Sequence, residues 1–144
     1  MLNRKIELFA LDIMIATEKI KRYTKKYNNA QEFLHTELEW DATIRELEII
    51  GEATKHLLKS EILEKEWRII VDFRNLISHA YFGIEENEVW EVVNVYILEF
   101  EKEILKILKL FDKDTLNQEI ENAKIDFSYS KYTLKLLKEL QNEI

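Results

Sequence analysis

Residues 67–82 read WRIIVDFRNLISHAYF, and the predicted fold is built around this stretch. At the 3.6-residue period of a helix, six of its apolar side chains fall on one broad stripe, which predicts an amphipathic helix with that stripe in the core. The stripe consists of Ile69, Ile70, Phe73, Leu76, Ile77 and Ala80. Gly83 follows closely and is a natural C-terminal stop for such a helix.

The opposite side of this helix mixes polar and apolar residues. Arg74 and His79 lie at its two edges, roughly 140° apart around the axis, so they do not stack as an i,i+4 pair would. A face that combines such groups with large apolar side chains predicts a surface covered by a second copy or another partner. The other members of this face are Trp67, Val71, Asn75 and Ser78.

Arg74 and His79 are also residue types that suit metal-free cleavage of RNA. The unperturbed pKa of a histidine, about 6.5, lets it give and take a proton near neutral pH. Arginine carries a permanent positive charge on a planar fork that matches phosphate oxygens. The 2′-hydroxyl of RNA supplies the nucleophile, so no other reactive group is required. The spacing alone leaves a second interpretation open, namely a histidine at a helix end and an arginine at the surface.

The octapeptide from Arg74 to Tyr81, RNLISHAY, resembles the R-N-x-x-x-H-x-Y signature of the HepT toxins of the HEPN superfamily. Upstream, residues 42–53, ATIRELEIIGEA, resemble the family's A-x-I-R-x-L-E-I-I-G-E-A helix. Downstream, residues 81–84 and then Val89-Trp90 resemble its Y-x-x-I/V turn and the V-W that starts its next helix. The family often has a proline before the signature helix, and this chain, which has no proline, departs from the pattern only in that loop.

This resemblance implies an antiparallel helical bundle that forms a homodimer, with the two signature helices lining a shared cleft. It implies a metal-independent endoribonuclease without a cofactor, acting on tRNA or mRNA as the toxin of a toxin-antitoxin pair. By the same resemblance Arg74 and His79 are catalytic. The expected partner is a minimal nucleotidyltransferase antitoxin, which adds AMP to Tyr81. Supporting roles near the cleft are expected for Asn75, Ser78, Arg45 and Glu52.

Tyr81 and the pair of Glu52 and His56 each have an ordinary structural interpretation as well. Tyr81 could be a half-buried aromatic at the end of the helix rather than a modification target. Glu52 and His56 are one helical turn apart and could ligate a metal ion, but two ligands without a third make a poor site. We therefore expect an ordinary surface pair and no metal. His35, in a polar loop, is expected to be exposed.

Composition and length predict an all-α protein. A chain of 144 residues fits one domain, for which we expect a bundle of four to five main helices over about residues 5–111 and a helical extension over 112–144. With 47% hydrophobic residues, two glycines and no proline, the chain has too few turn residues for many strand pairs. The absence of cysteine excludes disulfides and thiolate metal sites. No membrane-length apolar run or cleavable signal is visible, so we expect a cytoplasmic protein without membrane contact.

The charge distribution argues for local rather than enveloping contact with RNA. The formal net charge is −7, whereas residues 1–30 carry seven Lys or Arg against three acids and residues 31–66 carry four against ten. The basic end of the first helix predicts an RNA-backbone contact, although a solvated helix end whose cations favour the dipole explains it equally well. Four residues form this α1 cation cluster: Lys21, Arg22, Lys25 and Lys26.

Helical periodicity continues on both sides of the central stretch. Helices are predicted over residues 3–27, 40–59, 88–111, 116–124 and 130–144, with a short segment at 31–34. In the helix at 88–111, Val92 and Tyr96 belong to a wide apolar face that we expect to be core. The apolar stripe of the last helix packs either on the bundle or on a partner.

Two other functional hypotheses remain beside the ribonuclease. The first is a non-catalytic subunit that binds substrate or partner for a minimal nucleotidyltransferase, which the acidic surface favours. The second is a structural helical dimer without chemistry. The non-catalytic subunit predicts a stable complex with a nucleotidyltransferase and no loss of function on replacing His79, whereas the ribonuclease hypothesis predicts that RNA cleavage is lost.

Overall fold

The computed structural model describes residues 4–34, 36–79 and 83–144, and it describes only the backbone of His79. Every regular element in these ranges is helical, which confirms the predicted all-α fold. A 3₁₀ turn, Lys65–Trp67, precedes α4, and a π-helical segment, Val92–Tyr96, joins α5 to α6. The helices are α1 (Ile6–Thr24), α2 (Ala30–Leu34), α3 (Leu38–Lys59), α4 (Arg68–His79), α5 (Glu86–Glu91), α6 (Ile97–Leu110), α7 (Lys113–Asp126) and α8 (Lys131–Glu143).

Helix α1 is the central element of the bundle, and it packs against α3, α6, α7 and α8. It runs antiparallel to α3. Near its start the ring of Phe9 stacks on that of His56, with centroids 4.1 Å apart and planes 9° from parallel. Just beyond its end, Lys26 pairs with Glu39 at 3.1 Å. The buried residues at the centre come mainly from these helices: Ile13, Ala16, Ile20, Leu47, Ile50, Leu57, Phe100, Ile104 and Leu108.

Helix α4 buries a different face from the one that its periodicity predicts. Ile70 and Ile77 are buried as expected, but Ile69 and Leu76 remain 48% and 52% exposed. Val71, predicted on the partner-covered side, is only 5% exposed. The helix is therefore rotated toward Val71 and Arg74. We attribute this rotation to α3, which presents Gly51 opposite Arg74 and so allows the two helices to approach closely on that side.

The predicted partner-covered side of α4 is thus partly covered by the chain itself. The Trp67 ring packs 4.9 Å from that of Phe100, and Val71 joins the buried residues. The apolar surface that stays open lies instead around Ile69 and Leu76. It continues onto the π-helical segment at Tyr96, which is 37% exposed and not in the core as predicted. A π-helical turn changes the azimuth of the residues that follow it, and a regular helical period cannot anticipate that change.

The C-terminal extension packs on the bundle, which decides between the two alternatives that the sequence leaves open. Leu116, Ile120 and Leu137 are at most 1% exposed and belong to the same buried cluster as α1 and α6. Side-chain caps define where its helices begin. Asp112 accepts a hydrogen bond from the Thr115 N–H at 2.9 Å, and α7 therefore starts at Lys113, earlier than the periodicity predicts. Among the described helices, none has the length and apolar character that a membrane span requires.

Candidate active site on α3 and α4

Gly51 lets the Arg74 side chain cross the surface of α3. A Cβ atom added to Gly51 would lie 2.1 Å from the Arg74 Cβ and 2.4 Å from its Cγ, far inside van der Waals contact. The first carbons of Arg74 therefore occupy the place that a side chain at position 51 would need. Because those carbons are fixed by the α4 backbone, any larger residue at 51 must push the two helices apart.

The Arg74 guanidinium emerges beside Glu52, the next residue of α3. Its Nη2 atom lies 3.4 Å from the Glu52 Oε2, and its Nη1 donates to the Asn75 Oδ1 at 3.2 Å. Glu52 also lies 3.8 Å from the Nε2 of His56, whose ring is held by Phe9. The carboxylate thus lies between Arg74 and a histidine that is 43% exposed and stacks on Phe9. We infer that Glu52 restricts where the guanidinium can point.

The guanidinium keeps capacity to bind an anion. Its side chain is 32% exposed. Its Nε atom is buried and has no hydrogen-bond partner among the described residues, so the donors that a ligand can reach are those of the two Nη atoms. The only carboxylate within 4 Å among those residues, that of Glu52, is itself 48% exposed. An arginine offers five N–H donors, so the two contacts of Arg74 leave donors available to a phosphate oxygen.

The structure describes some of the other predicted signature residues, but not all of them. His79 is the last residue of α4, and Tyr81 lies outside the described residues. Asn75 and Ser78 are exposed on α4. Gly83 has a φ of 78°, the left-handed conformation that favours glycine at the end of a helix. The roles of these residues stay predictions.

Arg45 is exposed on α3 and makes no hydrogen bond or ion pair with a described residue. Its charge lowers the pKa of Glu46, although burial is the larger influence and raises that pKa above the ordinary value. Glu52, by contrast, contacts Arg74 directly. The structure therefore brings one of the two predicted α3 residues into contact with the signature arginine.

Three members of the α1 cation cluster are paired with acids. Lys21 contacts Glu101 at 2.6 Å, and Arg22 contacts Glu18 at 2.5 Å. Lys26 contacts Glu39, and this hydrogen-bonded pair raises the pKa of Lys26 and lowers that of Glu39. Lys25 is exposed. RNA would have to compete with carboxylates for most of this cluster.

The predicted surface pair of Glu52 and His56 has the 3.8 Å contact of an ion pair at i,i+4. Within the described ranges, no group of three or more His, Cys, Asp or Glu side chains is placed to hold a metal ion. Gly51 lies in the 42–53 helix pattern, which by itself predicts no role for it. Its signal was a lone glycine inside a helical pattern, which often marks close packing of backbones.

Comparison with known proteins assigns the chain to a family. Residues 13–107, which include α3, α4 and the Arg74 site, match the family described as ribonuclease HepT-like. The chain belongs to the ribonuclease HepT-like family. This membership confirms the resemblance that the signature and its flanking helices indicated, and it places the chain among ribonucleases.

Curated relatives of this HepT-like chain carry related names. A Methanocaldococcus jannaschii protein named as a gamma-glutamylcyclotransferase and candidate RNase is 33% identical over 121 residues, 81% of this chain and 54% of the relative. The chain thus spans about half of that relative's length. A candidate RNase of the same organism is 33% identical over 110 residues, 72% of this chain and 97% of the relative. A Thermococcus cleftensis protein, "Probable ribonuclease HepT", is 36% identical over 85 residues, which are 57% of this chain and 76% of the relative. No solved structure matches the chain significantly.

Proposed function

We propose that this HepT-like chain is a metal-independent endoribonuclease and the toxin of a toxin-antitoxin pair. The observation that carries the proposal is the placement of Arg74. Arg74 lies within the family match on the same helix as His79, and its partly exposed guanidinium stands beside Glu52. An arginine with free donors, followed five residues later by a histidine in the signature spacing, supports chemistry on a phosphodiester.

In the proposed mechanism His79 exchanges protons with the 2′-hydroxyl and with the leaving oxygen. Arg74 stabilises the extra negative charge of the pentacovalent phosphate through its N–H donors. The two residues diverge by roughly 140° around the helix axis, so one helix does not present both to the same phosphate. We therefore propose that two copies of the chain supply the acid and the base.

The exposed apolar surface supports a homodimer as the active form. Ile69 and Leu76 are about half exposed on α4, and Tyr96 extends the surface onto the π-helical segment. Contiguous exposed apolar side chains of this size indicate an interface. Because α4 carries both this surface and the signature, pairing of two copies through it would bring two signatures close together. Replacing Leu76 with Asp is expected to yield monomers in sedimentation experiments and to abolish cleavage, with Leu110→Asp, 76% exposed, as the control.

The partner proposed for regulation is a minimal nucleotidyltransferase. It would transfer AMP from ATP to the hydroxyl of Tyr81, with release of pyrophosphate. The added AMP would bring bulk and negative charge to the signature, seven residues after Arg74 in the chain, and would oppose RNA binding. Mass spectrometry of the chain co-expressed with such an enzyme should show one added AMP that Tyr81→Phe removes.

The deciding experiment is inducible expression of the wild type and His79→Ala, with His35→Ala as a matched histidine control. We expect growth arrest with RNA cleavage for the wild type and His35→Ala, and neither for His79→Ala. Cleavage by purified protein should persist in EDTA. If all three variants permit normal growth and all bind the nucleotidyltransferase, the ribonuclease proposal fails. The acidic net charge of −7 would then favour the non-catalytic subunit.

A further inference from the structure

A groove of about 620 Å³ lies between α3 and the beginning of α4. The 3₁₀ turn before α4 contributes Lys65 to its lining. Apolar side chains of both helices contribute to its wall, and four cations stand around it. Its lining consists of Lys55, Leu58, Lys59, Lys65, Arg68, Val71 and Asn75.

The charged side chains among the described residues that line this α3–α4 groove are all cations. Lys55 and Lys59 lie one turn apart on α3, while Lys65 and Arg68 face them from the 3₁₀ turn and the first position of α4. All four are exposed, and none makes an ion pair with a described residue. Among the residues that the structure describes, no acid lines the groove.

This arrangement is unusual for an acidic chain. The protein has 28 acids against 21 Lys and Arg, and carboxylates elsewhere pair with Arg4, Lys5, Lys21, Arg22 and Lys26. Four like charges left together without partners repel one another in the free protein. An anionic ligand would relieve that repulsion. The cations therefore indicate a binding surface for negative charge.

The groove leads directly to the candidate active site. Asn75 lines it, and the Asn75 amide oxygen accepts the hydrogen bond from Arg74. Arg68 and Asn75 are seven residues apart on α4, which is about 10 Å along the helix axis. An extended strand seated along the groove would therefore reach Arg74 at its end.

We infer that the α3–α4 groove binds the phosphates of the RNA strand that flanks the cleavage site. This inference rests on the proposed ribonuclease function and names the surface that holds its substrate. Within the described part of the chain, the lining of the groove includes no aromatic side chain, and these residues offer no platform for stacking bases. Contacts to phosphates carry no direct sequence information, and the groove supplies affinity and register but not base preference.

The test measures binding of a short, mixed-sequence single-stranded RNA to full-length protein carrying His79→Ala, so that cleavage does not interfere. Fluorescence anisotropy is recorded at several salt concentrations. In this background Lys55→Gln with Lys59→Gln removes two groove cations. We expect affinity to fall about tenfold and the slope of log affinity against log salt to shrink by about 1.4, because each lost phosphate contact on a single strand contributes about 0.7.

Lys102→Gln with Lys106→Gln is the matched control. Both lysines are exposed on α6, are also four residues apart, and do not line the groove. The control keeps the same net charge as the groove variant, and we expect it to retain affinity within about twofold and to keep the slope. Far-UV circular dichroism checks that every variant is folded.

The possible outcomes distinguish RNA binding by the groove from RNA cleavage at the candidate active site. Unchanged affinity and slope in the groove variant would overturn the inference, and so would an equal loss in the control, which would reflect net charge alone. Failure of the unmodified protein to bind RNA, or binding of only free phosphate or mononucleotides in the groove, would overturn it as well. If the groove variant loses affinity while the protein with His79 intact cleaves no RNA, the groove stands and the ribonuclease proposal fails.

Discussion

Two basic regions of this molecule differ in whether their cations are paired with carboxylates. In the α1 cation cluster, Lys21, Arg22 and Lys26 are each held by a carboxylate. In the α3–α4 groove, four cations stand together without an ion-pair partner among the described residues. The first region is conspicuous in the sequence and the second is not, because its lysines come from a stretch with an excess of acids. Local charge density along a chain is therefore a poor guide to which cations are available to a ligand.

The largest effect is expected from a larger residue at position 51, where the close packing of α3 on α4 positions Arg74. Gly51→Ala places a methyl group 2.1 Å from the Arg74 Cβ, and the helices must separate. We expect the free energy of unfolding to fall by about 1 to 3 kcal/mol, as overpacking typically costs. Displacement of Arg74 by about 1 Å should reduce cleavage about a hundredfold. Urea denaturation and initial cleavage rates measure the two effects.

A double variant checks that the cause is this contact. Arg74→Gly removes the clashing carbons, so the cost of Gly51→Ala should be smaller in the Arg74→Gly background. Alanine is intrinsically the better helix former by about 1 kcal/mol. A stabilised Gly51→Ala protein with full activity would show that α3 and α4 do not depend on the glycine.

Arg74 lies next to the groove, but unlike the groove cations it has a carboxylate partner, Glu52. In this respect it is similar to the paired cations of the α1 cluster. Glu52→Gln keeps the shape of that partner but removes its charge. We expect the cleavage rate of bound RNA to fall about tenfold because the guanidinium is held less well, with affinity for RNA unchanged or higher. Stability should change by less than about 1 kcal/mol, since Glu52 is 48% exposed.

Single-turnover kinetics separates these two quantities. Glu48→Gln, one turn earlier on α3, makes the same change in charge and is the control. A parallel rise in affinity and cleavage rate in Glu52→Gln would mean that Glu52 only repels RNA and does not position Arg74.

The paired cations should matter less for RNA than the groove. For Lys21→Gln with Lys26→Gln we expect RNA affinity to change by less than about twofold, against about tenfold for the groove variant, because RNA would first have to displace Glu101 and Glu39. The same anisotropy titration measures both. A loss as large as that of the groove variant would support the original prediction that the end of α1 contacts RNA.

The smallest effect concerns Glu46, a nearly buried acid on α3 near the α1 cations. Burial raises the pKa of Glu46 above its ordinary value, and the charges of Lys19, Arg45 and Arg22 offset this only in part. The folded state therefore holds the Glu46 proton more tightly than the unfolded chain does. The resulting stability is fully present below the ordinary pKa, near 4.5, and is lost as the pH rises through the higher folded-state pKa.

Glu46→Gln should therefore stabilise the protein at pH 7 relative to the wild type and make little difference at pH 4. Urea midpoints at several pH values test this, with Glu48→Gln as a control for one lost charge. A stability difference that does not depend on pH would show that burial of Glu46 has no electrostatic cost.

Several features of the fold could be predicted from the chain alone. The helical period gave every main helix, and the scarcity of glycine and proline excluded a strand-rich fold. The signature around Arg74 and His79 and its flanking helices indicated the family that the comparison confirms. Helix ends were less well predicted, as at α7, where the cap is Asp112.

What the sequence by itself determined is therefore which segments are helical and which family the chain belongs to. These properties depend on neighbours within one or two helical turns. Tertiary structure alone decided which face of α4 is buried, because that depends on Gly51 on another helix. Tertiary structure also decided which cations form ion pairs and which have no ion-pair partner among the described residues. Ion pairs such as that of Lys21 with Glu101 join residues 80 positions apart, and no local pattern contains them.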